Sequence, residues 1–321
     1  MPMVFLAGAL GCVGLGPWVI RRLAVLRWRQ PLRHNDCPPL QGWQQPKQGT
    51  PTMGGLLVLG VATTVAIAFG GLVRAEGWWV LGAALALGTL GFADDLLKLT
   101  RPNANGLHVR PKLIAALGLG AAIGSLSADP AMGYRTLVIP WGGTAVDPGW
   151  WGWVALAAVV VGGCAHAVNL TDGMDGLAAG CLALAFGVLG VVGAARGDAL
   201  VAVWGLSLAG ACVGFLWFNA APASVFMGDV GALGLGAALG VLALLAHAAL
   251  GLMILGGVFV VEAASVMLQV ASYRWRHHRR IFRVAPLHHH FQVAGLAEPK
   301  VVVRFWIIGV VLAALGLSAL G

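Results

Sequence analysis

Five of the twelve carboxylates in this 321-residue chain fall in three short patches: Asp94-Asp95, Asp172 with Asp175, and Asp229. Adjacent carboxylates beside an apolar run raise each other's pKa and are costly unless a metal ion, a lysine or a proton neutralises them. Lys98, four residues beyond Asp94, shares its face if the helix continues. In the second patch, Asn169-Leu170-Thr171-Asp172-Gly173-Met174-Asp175-Gly176, two glycines let the backbone turn tightly against a ligand. Asp172 and Asp175 face one way if they open a helix, where acids also serve as plain caps. The third patch, Phe226-Met227-Gly228-Asp229-Val230-Gly231, again frames an aspartate with glycines, and Asn219 adds an amide able to read a nucleobase edge. Such an oxygen-rich set suits magnesium, which keeps waters and bridges to phosphates; no Cys or His spacing suits zinc. A fourth patch places Arg279, Arg280 and Arg283 ahead of Ala285-Pro286-Leu287-His288-His289-His290-Phe291. It offers arginine forks for phosphate and imidazoles for proton or phosphate work.

The composition says what must position these groups. With 59% hydrophobic residues, 10% charged residues and a mean hydropathy of +0.85, the chain has too little polar surface for a water-soluble globule. It reads as an all-α polytopic membrane protein. Ten runs approach the roughly 20 apolar residues a span needs: 3–20, 53–73, 77–93, 112–128, 150–168, 176–194, 199–218, 231–248, 250–272 and 301–320. The first lacks a basic stretch ahead of it and a small-residue cleavage site, so it reads as a retained helix. The 48 glycines suit close helix packing in lipid, and Cys12, Cys37, Cys164, Cys181 and Cys212 read as small packing residues.

Short loops rich in Lys and Arg stay in the cytoplasm. Placing the first turn-back there puts Arg21, Arg22, Arg27, Arg29, Arg33, Lys47, Lys98, Arg101, Arg110, Lys112 and the seven basic residues from Arg274 to Arg304 inside. Only Arg74, Arg135 and Arg196 fall outside, a ratio of seventeen to three that sets the orientation. Both termini then face out, and all three acidic patches reach the cytoplasmic surface although they played no part in the choice. The net charge of +8 suits a face that meets anionic lipids and nucleotides. In the longest outer loop, 129–149, Tyr-Arg-Thr-Leu-Val-Ile-Pro-Trp before Gly142-Gly143 predicts a small β-hairpin, and Trp150, Trp151 and Trp153 an interfacial belt. No linker or repeat interrupts residues 1–321, which read as one integral membrane domain.

Several runs resemble the signature blocks of the phospho-N-acetylmuramoyl-pentapeptide transferase family, within the polyprenyl-phosphate N-acetylhexosamine-1-phosphate transferases. They are Lys47-Gln48-Gly49-Thr50-Pro51-Thr52-Met53-Gly54-Gly55, GFADDLLK at 91–98, NLTDGMDGLA at 169–178, VFMGDVGAL at 225–233 and RVAPLHHHFQ at 283–292. The resemblance implies ten transmembrane helices in a bacterial inner membrane, usually as a homodimer, with the active site at the cytoplasmic face. It implies Mg2+-dependent transfer of phospho-N-acetylmuramoyl-pentapeptide from its UDP carrier to undecaprenyl phosphate, giving lipid I and UMP for cell wall synthesis; no nucleic acid is expected. It makes Asp229 the metal ligand and places Asp94, Asp95 and Lys98 with His288, His289 and His290 in the catalytic set. Lys47, Thr52, Lys112, Asn169, Asp172, Asp175, Asn219 and Phe226 then line the substrate pocket. His166, Leu96 and Ala232 depart from the residues usual in the family.

Two other functions compete. A sister transferase using N-acetylglucosamine would share the acids and the metal but not the APLHHHF run. A secondary transporter would place charges at the bilayer midplane on broken helices within inverted repeats, whereas here the acids end the spans. Glu262, inside the ninth span, is the one residue suited to a relay; a position facing the bundle interior, paired with a neighbour, or at a helix break accounts for it more simply.

Overall fold

The structure, a computed structural model, describes residues 1–26, 28, 47, 49–101 and 106–320; Arg27, Arg29, Arg33, Cys37 and Gln48 lie outside the described residues. Among the described residues the chain is almost wholly helical. Its helices are α1 (Pro2–Val25), α2 (Gly55–Ala68), α3 (Ala75–Thr100), α4 (Val109–Ser127), α5 (Gly149–Thr171), α6 (Leu177–Ala195), α7 (Ala199–Asn219), α8 (Gly228–Leu245), α9 (Gly251–Leu255), α10 (Gly257–Trp275), α11 (Leu287–Val293) and α12 (Glu298–Leu320). Eight of them are long and apolar enough to cross a membrane. The second predicted span is a helix of only 14 residues, α2. The ninth is broken at Gly256 into α9 and α10.

Helix α8 is the axis of the bundle, buried along nearly its whole length, with α3 and α5 packed against it. Small residues make this closeness possible in lipid, where van der Waals packing replaces the hydrophobic drive. At Gly91 of α3 an added Cβ would collide with the Asp229 carbonyl at the start of α8. At Gly236 it would come within 2.6 Å of the Ala165 Cα on α5. Cys12, Cys181 and Cys212 are buried and Cys164 is half-buried, all as free thiols, in keeping with a packing role.

Buried tryptophans close backbone and hydroxyl bonds between spans. Trp153 Nε1 donates to Ser127 Oγ at 2.9 Å, and Trp204 Nε1 donates to the Gly71 carbonyl beyond the end of α2, also at 2.9 Å. The predicted hairpin is present as two antiparallel strands, β1 (Leu137–Val138) and β2 (Ala145–Val146). Beside it, Arg74 bridges Asp198 at 3.2 Å and Glu76 at 3.1 Å, Tyr134 donates to Glu76 at 2.9 Å, and the His247 ring stacks on Tyr134.

The first acidic patch does not end its span as the hydropathy implied. Helix α3 continues through Asp94 and Asp95 to Thr100, because Lys98, one turn on, offsets the charge that would otherwise have to leave the helix. Asp172 and Asp175 likewise do not open a helix. Asp172 follows the end of α5, Asp175 lies in the turn, and α6 begins only at Leu177, after Gly176 at φ +78°.

Candidate active site

The bundle brings Asp94, Asp95 and Asp229 together, with one carboxylate oxygen from each inside a 4.8 Å cluster. Two come from the last turns of α3 and one from the first turn of α8, so the Gly91 contact between these helices sets their separation. Asp94 and Asp95 are buried, while Asp229 is 18% exposed and forms the open side.

Two lysines balance the three acids. Lys98 Nζ pairs with Asp94, lies 2.9 Å from Asp229 Oδ2 and 3.7 Å from Asp95 Oδ1. Lys112 Nζ, from α4, lies 3.2 Å from Asp229 Oδ2 and 3.3 Å from Asp94 Oδ2. Backbone N–H groups hold the remaining oxygens: Leu107 donates to Asp94 Oδ1, and Val230 donates to Asp95 Oδ2 at 3.3 Å. The donor set is oxygen only, which suits a hard divalent cation. Thr52 borders this cluster, since a Cβ at Gly228 (φ +76°) would meet Asp95 Oδ2 at 2.6 Å and Thr52 Oγ1 at 3.1 Å.

A second group forms between the α5–α6 turn and the start of α12. Lys47 Nζ bridges Asp175 Oδ1, at 2.6 Å, and Glu298. Glu298 also accepts from the Asp175 N–H at 2.9 Å, and Asp175 Oδ2 accepts from the Ala223 N–H at 3.0 Å. Lys47 and Asp175 thus meet, whereas Glu298 had no signal in the sequence beyond an acid at a helix start. Asp172 stands between the two groups, and burial of its carboxyl, then the charges of Asp229, Asp95 and Asp175, push its pKa up to about 8. Asn169 is half-buried in the last turn of α5.

Two further expected pocket residues also tie the loops of this region together. Asn219 is buried, with Oδ1 accepting from the Gly176 N–H at 3.1 Å and Nδ2 donating to the Val225 carbonyl at 2.9 Å. Its amide joins the two glycine-rich loops. Phe226 is half-buried, and its backbone clamps the 51–54 segment by accepting from Gly54 N–H at 2.8 Å and donating to Pro51 at 2.9 Å.

The three histidines sit on α11, each with its Nδ1 engaged: His288 by Glu262 at 3.0 Å, His289 by Gln292 at 3.0 Å, His290 by the Arg283 N–H at 3.1 Å. Gly173 lies against His288 Nε2, so the histidine block meets the α5–α6 turn. His166, inside α5, has a buried Nε2 without a hydrogen-bond partner among the described residues.

Residues 78–247 match the family described as Glycosyl transferase family 4, and residues 47–59 match the Phospho-N-acetylmuramoyl-pentapeptide-transferase signature 1. A phospho-N-acetylmuramoyl-pentapeptide-transferase of Syntrophus aciditrophicus is 40% identical, over 96% of this chain and 89% of its own length. This chain belongs to the phospho-N-acetylmuramoyl-pentapeptide-transferase family. The homonymous proteins of Pelobacter propionicus (40% identical, 97% of this chain and 90% of the relative) and Neisseria gonorrhoeae (42% identical, 95% and 88%) agree. The family signature at 47–59 takes in Lys47 and Thr52, and the wider match spans all three carboxylates of the cluster.

Proposed function

We infer that this protein transfers phospho-N-acetylmuramoyl-pentapeptide from UDP-N-acetylmuramoyl-pentapeptide to undecaprenyl phosphate, forming lipid I and releasing UMP. The observation that carries the reading is the Asp94, Asp95 and Asp229 cluster with Lys98 and Lys112 against it, in a chain about 40% identical to enzymes of that name along nearly its whole length. We assign the cofactor as Mg2+, with Asp229 as its ligand beside the Asp94-Asp95 pair. When bound, it supplies charge screening between the two phosphates.

The chain's own residues do the rest. Both substrates are anionic at the reacting ends, so Lys98 and Lys112 lower the repulsion that opposes their approach. The lipid phosphate is already a competent nucleophile, and one of Asp94 and Asp95 takes its remaining proton. In-line displacement at the sugar-side phosphorus then needs alignment more than activation, and no covalent aspartyl intermediate is invoked. Lys47, Asp172 and Asp175 hold the nucleoside end, and His288, His289 and His290 stand toward the diphosphate.

The proposed setting is a bacterial inner membrane, with ten crossings by one domain, both termini periplasmic and the site cytoplasmic. The broken α9–α10 pair counts as one crossing and short α2 as another. Assembly as a homodimer is part of the proposal. The transporter alternative loses support because the acids gather around two lysines at the end of the bundle.

The test is UMP release from UDP-N-acetylmuramoyl-pentapeptide and from UDP-N-acetylglucosamine, each with undecaprenyl phosphate, with and without chelator. Release from the muramoyl donor alone, lost with chelator and in Asp229→Ala, supports the reading. Release from the glucosamine donor alone moves the protein to the sister activity.

A further inference from the structure

Glu262 and His288 are both 0% exposed, and they are joined across 26 residues of sequence. Glu262 Oε1 accepts from the His288 backbone N–H at 3.1 Å, and Oε2 meets the His288 ring at Nδ1, 3.0 Å away. A carboxylate has only lone pairs to offer, so the ring nitrogen facing it carries the proton. His290 is fixed the other way, because its Nδ1 accepts from the Arg283 N–H and its proton therefore resides on Nε2. Two histidines two residues apart are thus set in opposite tautomers by their neighbours.

The other end of His288 is more telling. Its Nε2 is buried and has no hydrogen-bond partner among the described residues. Folded proteins rarely leave such an atom unmatched. It lies where a side chain on Gly173 would collide with it, so the glycine between Asp172 and Asp175 is what keeps that nitrogen open toward the turn.

We infer that Glu262 is a positioning residue for the transfer reaction: it fixes His288 with the proton on Nδ1 and turns Nε2 toward the Asp172–Asp175 turn, to accept a hydrogen bond from a hydroxyl or N–H of the bound nucleotide donor. The inference rests on the reading in the preceding section. Glu262 itself touches no substrate and acts through the histidine, in the way that carboxylates behind metal-bound imidazoles fix the ring's tautomer and orientation.

A purely structural role is the competing explanation, since Glu262 also satisfies a backbone N–H in the first turn of α11. Glu262→Gln separates the two. The backbone N–H cannot change character, so the new amide must give it the oxygen and present its NH2 to Nδ1. The ring then accepts at Nδ1, and its proton moves to Nε2. The helix keeps its bond while the tautomer is reversed.

Rates are measured with whichever of the two UDP-sugar donors the unaltered protein turns over, so a different donor preference bears on the preceding reading and the variant ratios bear on Glu262. The expected result is a kcat lower by about 10- to 100-fold in Glu262→Gln, with donor KM within about threefold and an unchanged melting temperature. In a His288→Ala background the same substitution should cost nothing further. Gly173→Ala, which leaves Glu262 in place and closes the space before Nε2, should lower kcat comparably and serves as the second arm if Glu262→Gln does not fold. Wild-type kcat in Glu262→Gln, independent losses in the double variant, or full activity in Gly173→Ala would each overturn the assignment.

Discussion

Lys98 Nζ lies 2.9 Å from Asp229 Oδ2, joining α3 to α8 across 131 residues of sequence. The lysine is 5% exposed, so its charge is stabilised by the carboxylates around it and theirs by it. Lys98→Met should therefore lower kcat by about a hundredfold or more. Lys98→Arg should not restore it, because a planar fork cannot occupy the position of a compact ammonium among three acids. Steady-state UMP release from both variants checks this.

Bound magnesium should register without turnover. A ligand that binds only the folded protein raises its melting temperature, so millimolar Mg2+ should raise that of the wild type. Asp229→Asn should abolish the increase. An equal increase in the variant would place the ion elsewhere.

Gly91 supplies a purely steric test. Gly91→Ala sets a methyl group against the Asp229 carbonyl, which is backbone and cannot swing away. Overpacking of this kind costs about 1–3 kcal/mol, and it parts Asp94 and Asp95 from Asp229. The expected outcome is lost UMP release and a lost magnesium-dependent rise in melting temperature, in protein that still folds.

Glu298→Gln should weaken the second group. Lys47 would keep Asp175 but lose its other carboxylate, at a cost on the order of 1–3 kcal/mol. Because Asp175 also leans on Glu298, donor KM should rise more than kcat falls, which initial rates at varied donor concentration will show.

At the hairpin end of the bundle, burial holds the His247 pKa below its ordinary value, with Arg196 adding to the effect against Thr136 and Asp198. The unfolded chain therefore binds this proton more readily than the folded one. Stability should be full above about pH 6.5 and fall as the pH drops through the depressed folded value. His247→Asn, which tolerates the positive φ of 53° at this position, should flatten that slope in thermal melts.

The helices were legible because lipid demands long apolar runs, and each predicted span has a helix within it. The cluster of acids was legible because unpaired carboxylates beside such runs need a counter-charge. What escaped depended on distance in sequence. Glu298 acquires meaning only through Lys47, 251 residues earlier. Asn219 read as a base-reading amide, and its links to the Gly176 and Val225 backbone had no sign in the sequence. Asp172 and Asp175 read as the opening of a helix, and the left-handed Gly176 delays that helix past both. Glu262 was visible as an isolated intramembrane acid, but its partner lay in a separate loop helix.

Helix α2, with 14 residues, is only about 21 Å long at 1.5 Å per residue, against a hydrocarbon layer of about 30 Å. Its Leu56 and Ile67 are exposed, and past its end the Gly71 carbonyl is bonded by Trp204. The 23-residue α12 is long enough to cross the whole layer. With α2 as the proposed second crossing, the apolar perimeter is uneven in height, so acyl chains beside α2 would compress while those beside α12 stay extended. Lipid chain length would then be a mechanical load on one side of the protein, borne by the helix whose first residues pack against the segment leading into Asp229.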